Sequence, residues 1–123
     1  MPKAFEAARR QQVGALTFGP DTQLLRTNLA KISELAVMDR LPIVADRDVY
    51  AEGGILMAYG PDLHDLWARA AYHVDKIFRG AKPGDLPVEQ PTKFELVINL
   101  KTAKAIGVAI PQSLLQRADE VIQ

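Results

Sequence analysis

The stretch from Ala51 to Gly80 constrains the fold of this chain more than any other. A glycine pair, Gly53-Gly54, is followed by an apolar run from Ile55 to Tyr59, and this pattern predicts a turn leading into a strand. Beyond that run, apolar side chains recur every three or four residues and predict an amphipathic helix over residues 62–79, which Gly80 ends. The unit is therefore a strand, a tight turn and a long helix, as in α/β folds.

The residue types predict where this helix begins and which side chains form its apolar face. Pro61 is expected at the first helical position, where its missing N–H costs nothing, and Asp62 in the first turn, near the positive end of the helix dipole. Trp67 lies in the apolar stripe and is expected in the core. His64 and His73 lie on opposite sides of the helix, so they cannot share a metal.

Helical and strand patterns alternate along the rest of the chain. The predicted elements are a helix at 2–12, a strand at 13–18, a helix at 24–40, a strand at 42–46, a turn or a single helical turn at 48–52, a strand at 92–100, and helices at 101–106 and 111–121. The strand at 92–100 alternates apolar and polar residues and is expected to be an edge or antiparallel strand. Residues 81–91 contain three prolines and are expected to form a crossing loop. The alternation predicts an α/β fold: a three-layer, mainly parallel sheet with helices on both faces, in one domain spanning residues 1–123.

The composition excludes several classes of function. Fifteen basic and fifteen acidic residues give a net charge of zero. The chain therefore lacks the excess of positive charge that binding to nucleic acid or an anionic membrane requires. The chain has no cysteine, so thiolate catalysis and cysteine–zinc sites are excluded. The first residues are polar and do not resemble a secretory signal, so we expect an exported protein to be represented here by a mature or truncated piece.

Two stretches follow predicted strands, where ligands bind in open α/β sheets. Gly19, Asp21 and Thr22 form either a cleft loop, whose backbone N–H groups, carboxylate or hydroxyl hold a polar solute group, or a plain helix cap. Tyr59 and Gly60 lie at the end of the predicted strand from Ile55 to Tyr59. The tyrosine ring either packs on a solute, with its hydroxyl as a polar handle, or is a core side chain at a strand end.

A charged cluster follows the predicted strand at 42–46 and consists of Asp46, Arg47, Asp48 and Glu52. Arg47 either pairs in bidentate fashion with a solute carboxylate or belongs to a solvated turn with local ion pairs. The acids do not fit a calcium loop and no histidine is near them, so no metal site is expected. Gly53-Gly54 either approaches a ligand or hinge closely or forms a turn that needs a positive φ.

The sequence contains no phosphate-loop, dinucleotide-binding or nucleophile-elbow pattern. We therefore predict no catalytic residue, no cofactor and no enzyme activity. The remaining possibility is a protein that binds a molecule without changing it chemically.

Three collinear stretches resemble bacterial ABC-transporter substrate-binding proteins, in the group with tryptophan/tyrosine-uptake-like members. They are QPTKFELVINLKTAKAIGVAIPQSLLQRADEVI at 90–122, EGGILMAYGPDLHDLWARAAYHVDKIFRGAKPGDLPVEQP at 52–91, and VGALTFGPD at 13–21 with RLPIVAD at 40–46. The likeness runs from about Ala4 to the end of the chain. It implies a type I periplasmic-binding-protein fold, in which two α/β lobes close over a small solute and hinge strands cross between them.

The resemblance also implies a biological setting. Such a protein binds a small organic solute, such as an aromatic amino acid, in the periplasm and serves a membrane permease without chemistry. This chain corresponds only to the later part of such a protein, so we expect one lobe and about half of the cleft to be missing.

The missing part leaves two alternatives open. Strand edges left open invite pairing with another copy, for example by exchange of the segment from Thr92 to Gln123, and so favour a homo-oligomer. One alternative to solute binding is therefore a truncated, self-associating α/β domain without ligand activity. The other is a small flavodoxin-like enzyme.

Overall fold

A computed structural model describes residues 2–18 and 23–123. In chain order the elements are α1 (Pro2–Arg10), β1 (Leu16–Thr17), α2 (Gln23–Thr27), α3 (Leu29–Met38), β2 (Ile43–Ala45), α4 (Asp48–Glu52), β3 (Met57–Pro61), α5 (Leu63–Phe78), a 3₁₀ turn (Pro83–Asp85), β4 (Phe94–Asn99), α6 (Leu100–Ile106), α7 (Gln112–Leu115) and β5 (Glu120–Ile122). No helix within these ranges combines the length and the apolar character that crossing a bilayer requires.

The chain divides into two compact units. Unit 1 comprises the described residues up to Gly60 together with Glu95–Gln123, and unit 2 is Pro61–Phe94. Unit 1 contains most of the strands and all the helices except α5, whereas unit 2 contains α5 and the proline-rich loop.

The strands form one sheet in the order β1-β2-β3-β4-β5. The pairs β1·β2, β2·β3 and β4·β5 are parallel. Strands β3 and β4 run antiparallel, since Asn99 N–H donates to the Leu56 carbonyl at one end and Asp62 N–H donates to the Lys93 carbonyl at the other. The predicted α/β fold with a mainly parallel sheet is confirmed.

The apolar core of unit 1 forms two clusters. The larger one contains Tyr50, Ile32, Ile43 and Ile55, all less than 2% exposed, and it receives Phe5 and Ala8 from α1. The smaller one is built on Leu56, Ala103 and Ile106. Helix α1 therefore faces the core with Phe5 and Ala8, and α3 faces it with Ile32 and Ala36.

Buried polar groups connect α6 to the turn that precedes β3. The Asn99 carboxamide accepts from Thr102 N–H at 3.0 Å, which caps α6, and donates to the Ala51 carbonyl at 2.8 Å. The Gly54 carbonyl accepts from two hydroxyls, Thr102 at 2.9 Å and Ser33 of α3 at 3.0 Å. The turn is thus held by side chains from two separate helices.

The glycine pair before β3 is a structural turn. Gly54 has φ +99°, a conformation that favours glycine. A Cβ on Gly53 would lie 2.3 Å from Leu29 Cδ2. The pair precedes β3, so it lies at the opposite end of the strand from Tyr59, and the turn interpretation is the one the structure supports.

The prediction of one continuous helix at 24–40 is wrong. The helix breaks at Asn28 into α2 and α3. The Thr27 hydroxyl donates to the Gln23 carbonyl at 2.8 Å and the Asn28 amide to the Leu24 carbonyl at 2.9 Å. Such side-chain bonds offer the backbone an alternative to the helical ladder.

The predicted final helix at 111–121 is also wrong. Helix α7 ends at Leu115, and the chain then enters β5, which pairs with β4. The Asp119 backbone N–H donates to the Leu96 carbonyl and its carboxylate accepts from Leu96 N–H, both at 2.8 Å. Val121 and Ile122 are β-branched and suit a strand once a partner is present.

Three strand predictions need smaller corrections. Strand β1 has only two residues and is not buried, unlike the buried strand expected at 13–18. Strand β3 begins two residues later than expected and includes Pro61, which is therefore not the first residue of the helix. Strand β4 is an inner strand, so Val97, Ile98 and Asn99 are all buried instead of alternating with exposed residues.

Helix α5 forms as expected but does not bury its apolar stripe. Asp62 is its N-cap, and Gly80, with φ +100°, closes it through hydrogen bonds from Gly80 and Ala81 back to Ile77 and Lys76. Trp67 is 71% exposed, so its assignment to the core is wrong. Within unit 2 the helix has only the proline-rich loop beside it, and no sheet against which the stripe could pack.

Replacing Asn99 with Ala should lower the free energy of unfolding by about 2–3 kcal/mol, because it removes the α6 cap and leaves the Ala51 carbonyl without its buried donor. The control is Lys101→Ala, an exposed position in the first turn of the same helix, which should stay within about 0.5 kcal/mol of wild type. Urea denaturation followed by circular dichroism measures both variants. Equal midpoints for the two would contradict the role assigned to Asn99.

Candidate functional site

The carboxyl ends of β1, β2 and β3 lie at one edge of the sheet, because these strands are parallel neighbours. The β2–β3 register pairs Val44 with Met57 and Ala45 with Ala58. Extending it by one residue sets Asp46 beside Tyr59. The structure thus brings the end of β2 together with the predicted contacts on β3.

Tyr59 is exposed at this edge, with 58% of its surface accessible. Its neighbours in the strand, Ala58 and Gly60, are buried, as the alternation of side chains in a strand requires. The interpretation of Tyr59 as a core side chain is therefore wrong.

Gly60 is required by the packing of the two strands. A Cβ at this position would lie 1.8 Å from the backbone oxygen of Asp46. Only a glycine lets the backbone of β3 approach the end of β2 this closely. Gly60 therefore fixes the spacing between Asp46 and Tyr59.

Arg47 follows directly after Asp46 and is half-buried. Its backbone is extended, with φ −142° and ψ 141°, and it precedes the first residue of α4. The single helical turn expected at 48–52 is confirmed as α4, and Asp48 accepts a hydrogen bond from Val49 N–H at 2.7 Å. Arg47 is thus held at the junction of β2 and α4, beside the edge that carries Tyr59.

Asp46 is not among the ligand contacts predicted from the sequence. Its Oδ1 atom is enclosed, and it forms no hydrogen bond with any part of the chain that the structure describes. The only sequence signal was its position directly after a buried strand. Enclosure of one carboxylate oxygen depends on neighbours distant in sequence and could not be inferred from that position.

The predicted contacts Gly19, Asp21 and Thr22 lie outside the described residues. Phe18 is the last described residue before them, and its ring meets that of Tyr50 edge-on, with the centroids 5.5 Å apart. Phe18, directly after β1, therefore packs against the apolar core at Tyr50 of α4.

Unit 2 holds a separate group of charged side chains. Arg69 of α5 forms an ion pair with Glu89 of the loop, and His73 Nε2 lies 3.9 Å from the same carboxylate. Together with Leu66, Ala70 and Gln90 they line a depression of about 280 Å³. These contacts fasten the proline-rich loop to the helix.

The carboxyl group of Asp62, at the start of α5, has a lowered pKa. Lys93 donates a hydrogen bond to Asp62, and the backbone N–H groups of Asp65 and His64 donate to it as well. These bonds, that of Lys93 first, lower the pKa of Asp62 below its ordinary value of 3.8 and outweigh the opposite effect of burial.

Across the described ranges, no group of three or more His, Asp or Glu side chains is arranged to hold a metal ion. The carboxyl ends of β2 and β3 bring together Asp46, the backbone of Arg47 and the exposed ring of Tyr59. Such a set suits recognition of a small polar molecule with an apolar part.

Residues 6–122 match the family model described as ABC transporter substrate binding protein. This chain belongs to that family. A curated relative is the tyrosine-binding protein of Clostridioides difficile (strain R20291), 28% identical over 89 residues. The match takes in 72% of this chain and 26% of that protein, so the chain spans about a quarter of its curated relative.

Solved structures of the same fold cover nearly the whole chain. A conserved domain protein from Vibrio cholerae has a TM-score of 0.85 at 24% identity and covers 97% of the chain. The ABC domain in complex with L-Trp from Streptococcus pneumonia has a TM-score of 0.80 at 28% identity and covers 94%. A ligand-free, open substrate binding protein with adhesive properties from Clostridium difficile has a TM-score of 0.71 at 20% identity and covers 98%. The chain accounts for 40% of each of these structures.

The lowered pKa of Asp62 makes part of the stability depend on pH. Because the folded pKa lies below the unfolded one, the stabilisation is present above 3.8 and is lost as the pH falls through the folded pKa. Between about pH 6 and pH 2.5, wild type should lose more stability than Asp62→Asn, since asparagine keeps the N-cap but carries no charge. Urea midpoints across this range test the difference, and parallel curves for the two proteins would contradict it.

Proposed function

We propose that this chain is the later part of a two-lobed substrate-binding protein and binds an aromatic amino acid at the carboxyl edge of β1–β3, without chemical change. The observation that carries the proposal is the exposed ring of Tyr59 at that edge, in a chain of this family. An aromatic ring on a strand at such an edge gives a large contact area for a flat apolar group.

Two relatives support the choice of solute. The curated relative is named for binding tyrosine, and the Streptococcus structure holds L-Trp. Both are 28% identical to this chain. An aromatic amino acid presents a ring, an ammonium group and a carboxylate, and the edge offers partners for all of these.

We assign the roles as follows. The Tyr59 ring packs on the solute's aromatic side chain, and Arg47 pairs with its carboxylate in bidentate fashion. Gly60 lets the backbone of β3 lie close to the end of β2, next to the Tyr59 ring. Gly19, Asp21 and Thr22 supply further polar contacts as a cleft loop, which remains a prediction from the sequence.

A second lobe completes the site in this proposal. The chain spans 40% of the length of the solved structures, and the apolar stripe of α5 is open to solvent. Its exposed members are Trp67, Val74, Ile77 and Phe78. A contiguous apolar face of this kind marks an interaction surface, and further polypeptide of the whole protein covers it.

Membership of the family supports the proposed setting. The whole protein works outside the cytoplasmic membrane and delivers its solute to a membrane permease. The alternative of a small flavodoxin-like enzyme receives no support from the family match. The alternative of a self-associating domain is favoured by one observation, the open face of α5, and it describes how the chain behaves when nothing else covers that face.

Tyr59→Ala should weaken binding of L-tryptophan by about fivefold, as expected for the loss of one aromatic contact. The matched control is Tyr72→Ala, which removes a tyrosine of similar exposure, 55%, from unit 2. Amide chemical shifts in a titration of the labelled chain report both the affinity and the residues involved. Because half of the site is present, we expect a dissociation constant of about 1 mM and shifts near Asp46, Arg47 and Tyr59. Wild type that shows no shifts, or a Tyr72 variant weakened as much as the Tyr59 variant, would contradict the proposal.

The chain alone should self-associate through α5. The double substitution Trp67→Ser with Phe78→Ser removes the two most exposed aromatic side chains of the stripe and should shift the chain toward monomer. Val88→Ser is the control, since Val88 is 99% exposed in the loop and lies outside the stripe. Sedimentation velocity at about 0.1 mM protein measures the distribution. A double variant that associates as strongly as wild type would show that the face is not involved.

A further inference from the structure

The second half of the proline-rich loop at 81–91 is attached to α5 through a carboxylate. The first half is tied by backbone hydrogen bonds, from Ala81 N–H to the Lys76 carbonyl and within the turn at Pro83–Asp85. Among the described residues, none forms a backbone hydrogen bond with residues 87–92, and Val88 is 99% exposed. The ion pair of Glu89 with Arg69 therefore holds this part of the loop against the helix.

His73 lies beside the same carboxylate. Its Nε2 is 3.9 Å from Glu89 Oε2, and the two side chains are only 25% and 33% exposed. Its other nitrogen, Nδ1, is enclosed and has no hydrogen-bond partner in the part of the chain that the structure describes. Nε2 is therefore the nitrogen through which this ring responds to Glu89.

The polar surroundings of the His73 ring come from α5 and from the loop. They consist of Arg69, Tyr72 and Lys76 on the helix and of Glu89 and Gln90 on the loop. Tyr72 meets the ring edge-on, with the centroids 5.8 Å apart, and Lys76 lies over the Tyr72 ring. Among these residue types, only histidine ordinarily changes its charge between about pH 5 and pH 8. A change of pH in this range therefore acts on the loop through His73.

We propose that the proline-rich loop is a pH-dependent strap, which protonation of His73 fastens more tightly to α5 by giving Glu89 a second cation. As the pH falls from about 7.5 to about 5.5, the imidazole becomes charged and its Nε2–H donates to the carboxylate. A negative charge this close favours the charged ring, so proton binding and fastening of the loop reinforce each other. The inference concerns unit 2 alone and does not depend on the proposed solute.

The partial exposure of both partners sets the size of the effect. Ion pairs that solvent reaches contribute modestly, so the fraction of molecules with the loop released should fall about threefold over this pH range. Enclosure of Nδ1 acts in the opposite direction, because a charged ring carries a second N–H that needs an acceptor. Release of the loop on acidification would show that enclosure is the larger effect, and it would overturn the proposal.

Nuclear magnetic resonance of the labelled full chain measures the released fraction, through the amide shifts and heteronuclear NOE values of Val88, Glu89 and Gln90. The variant Glu89→Ala supplies the released reference, since it removes the carboxylate. On acidification from about pH 7.5 to about pH 5.5, wild-type shifts should move away from this reference and the NOE values should rise. His73→Gln keeps a polar side chain that cannot become charged, and its loop should show no such response.

The matched control is His64→Gln, which removes the other histidine of the chain, an exposed residue in the first turn of the same helix. Its loop should respond to pH as wild type does. Glu89→Gln provides a second test, because it removes the charge on the loop and leaves His73 in place, and it should abolish the response. Urea midpoints verify that the variants are folded.

Three results would overturn the proposal. The first is a wild-type loop with the same released fraction at both pH values. The second is a pH response that persists in His73→Gln or in Glu89→Gln. The third is loss of the response in His64→Gln, which would assign it to the wrong histidine.

Discussion

The fold of unit 1 depends on a set of hydrogen bonds to two backbone carbonyls, those of Ala51 and Gly54. Their donors are side chains of Asn99, Thr102 and Ser33, which come from two separate places in the sequence, the start of α6 and the middle of α3. Apolar contacts tolerate small displacements, but a buried carbonyl tolerates the loss of its donor poorly. These bonds therefore fix where α6 and α3 lie relative to the turn that starts β3.

The position of that turn determines the candidate site at the other end of the strand. Strand β3 runs from the glycine turn to Tyr59 and Gly60, so a shift at its start would move its carboxyl end. At that end the backbone of Gly60 rests against the carbonyl of Asp46, with no room for a side chain between them. The binding edge is thus defined by backbone packing at one end of β3 and by buried hydrogen bonds at the other.

Local signals in the sequence were sufficient for much of the fold. The helix that Gly80 ends, the helices at 2–12 and 101–106 and the strand at 92–100 depend on residues close in sequence, and local patterns predicted them. The errors arose where distant partners decide. Residues 120–122 form a strand because β4 lies beside them, although a helix at 111–121 is consistent with their pattern.

The candidate site was predictable to a similar degree. Tyr59 and Gly60 could be placed at the edge because strand ends are where α/β folds bind ligands. Whether Tyr59 is buried, and whether a carboxylate oxygen of Asp46 is enclosed, depends on neighbouring strands whose register cannot be read from one segment. Trp67 lies in an apolar stripe that the sequence predicted, but the residue is exposed. A stripe indicates that a helix has an apolar face, and it does not indicate which residues pack against that face.

The antiparallel pairing of β3 and β4 has a topological consequence. Gly60 ends the first segment of unit 1 and Glu95 begins the second, and the two residues belong to adjacent strands, so unit 2 is a single continuous segment of chain between β3 and β4. Insertions at such a position leave the host sheet intact, because both ends of the inserted segment start from neighbouring points. The element that carries the uncovered aromatic face can therefore be exchanged or lengthened in evolution without altering the sheet that presents Tyr59.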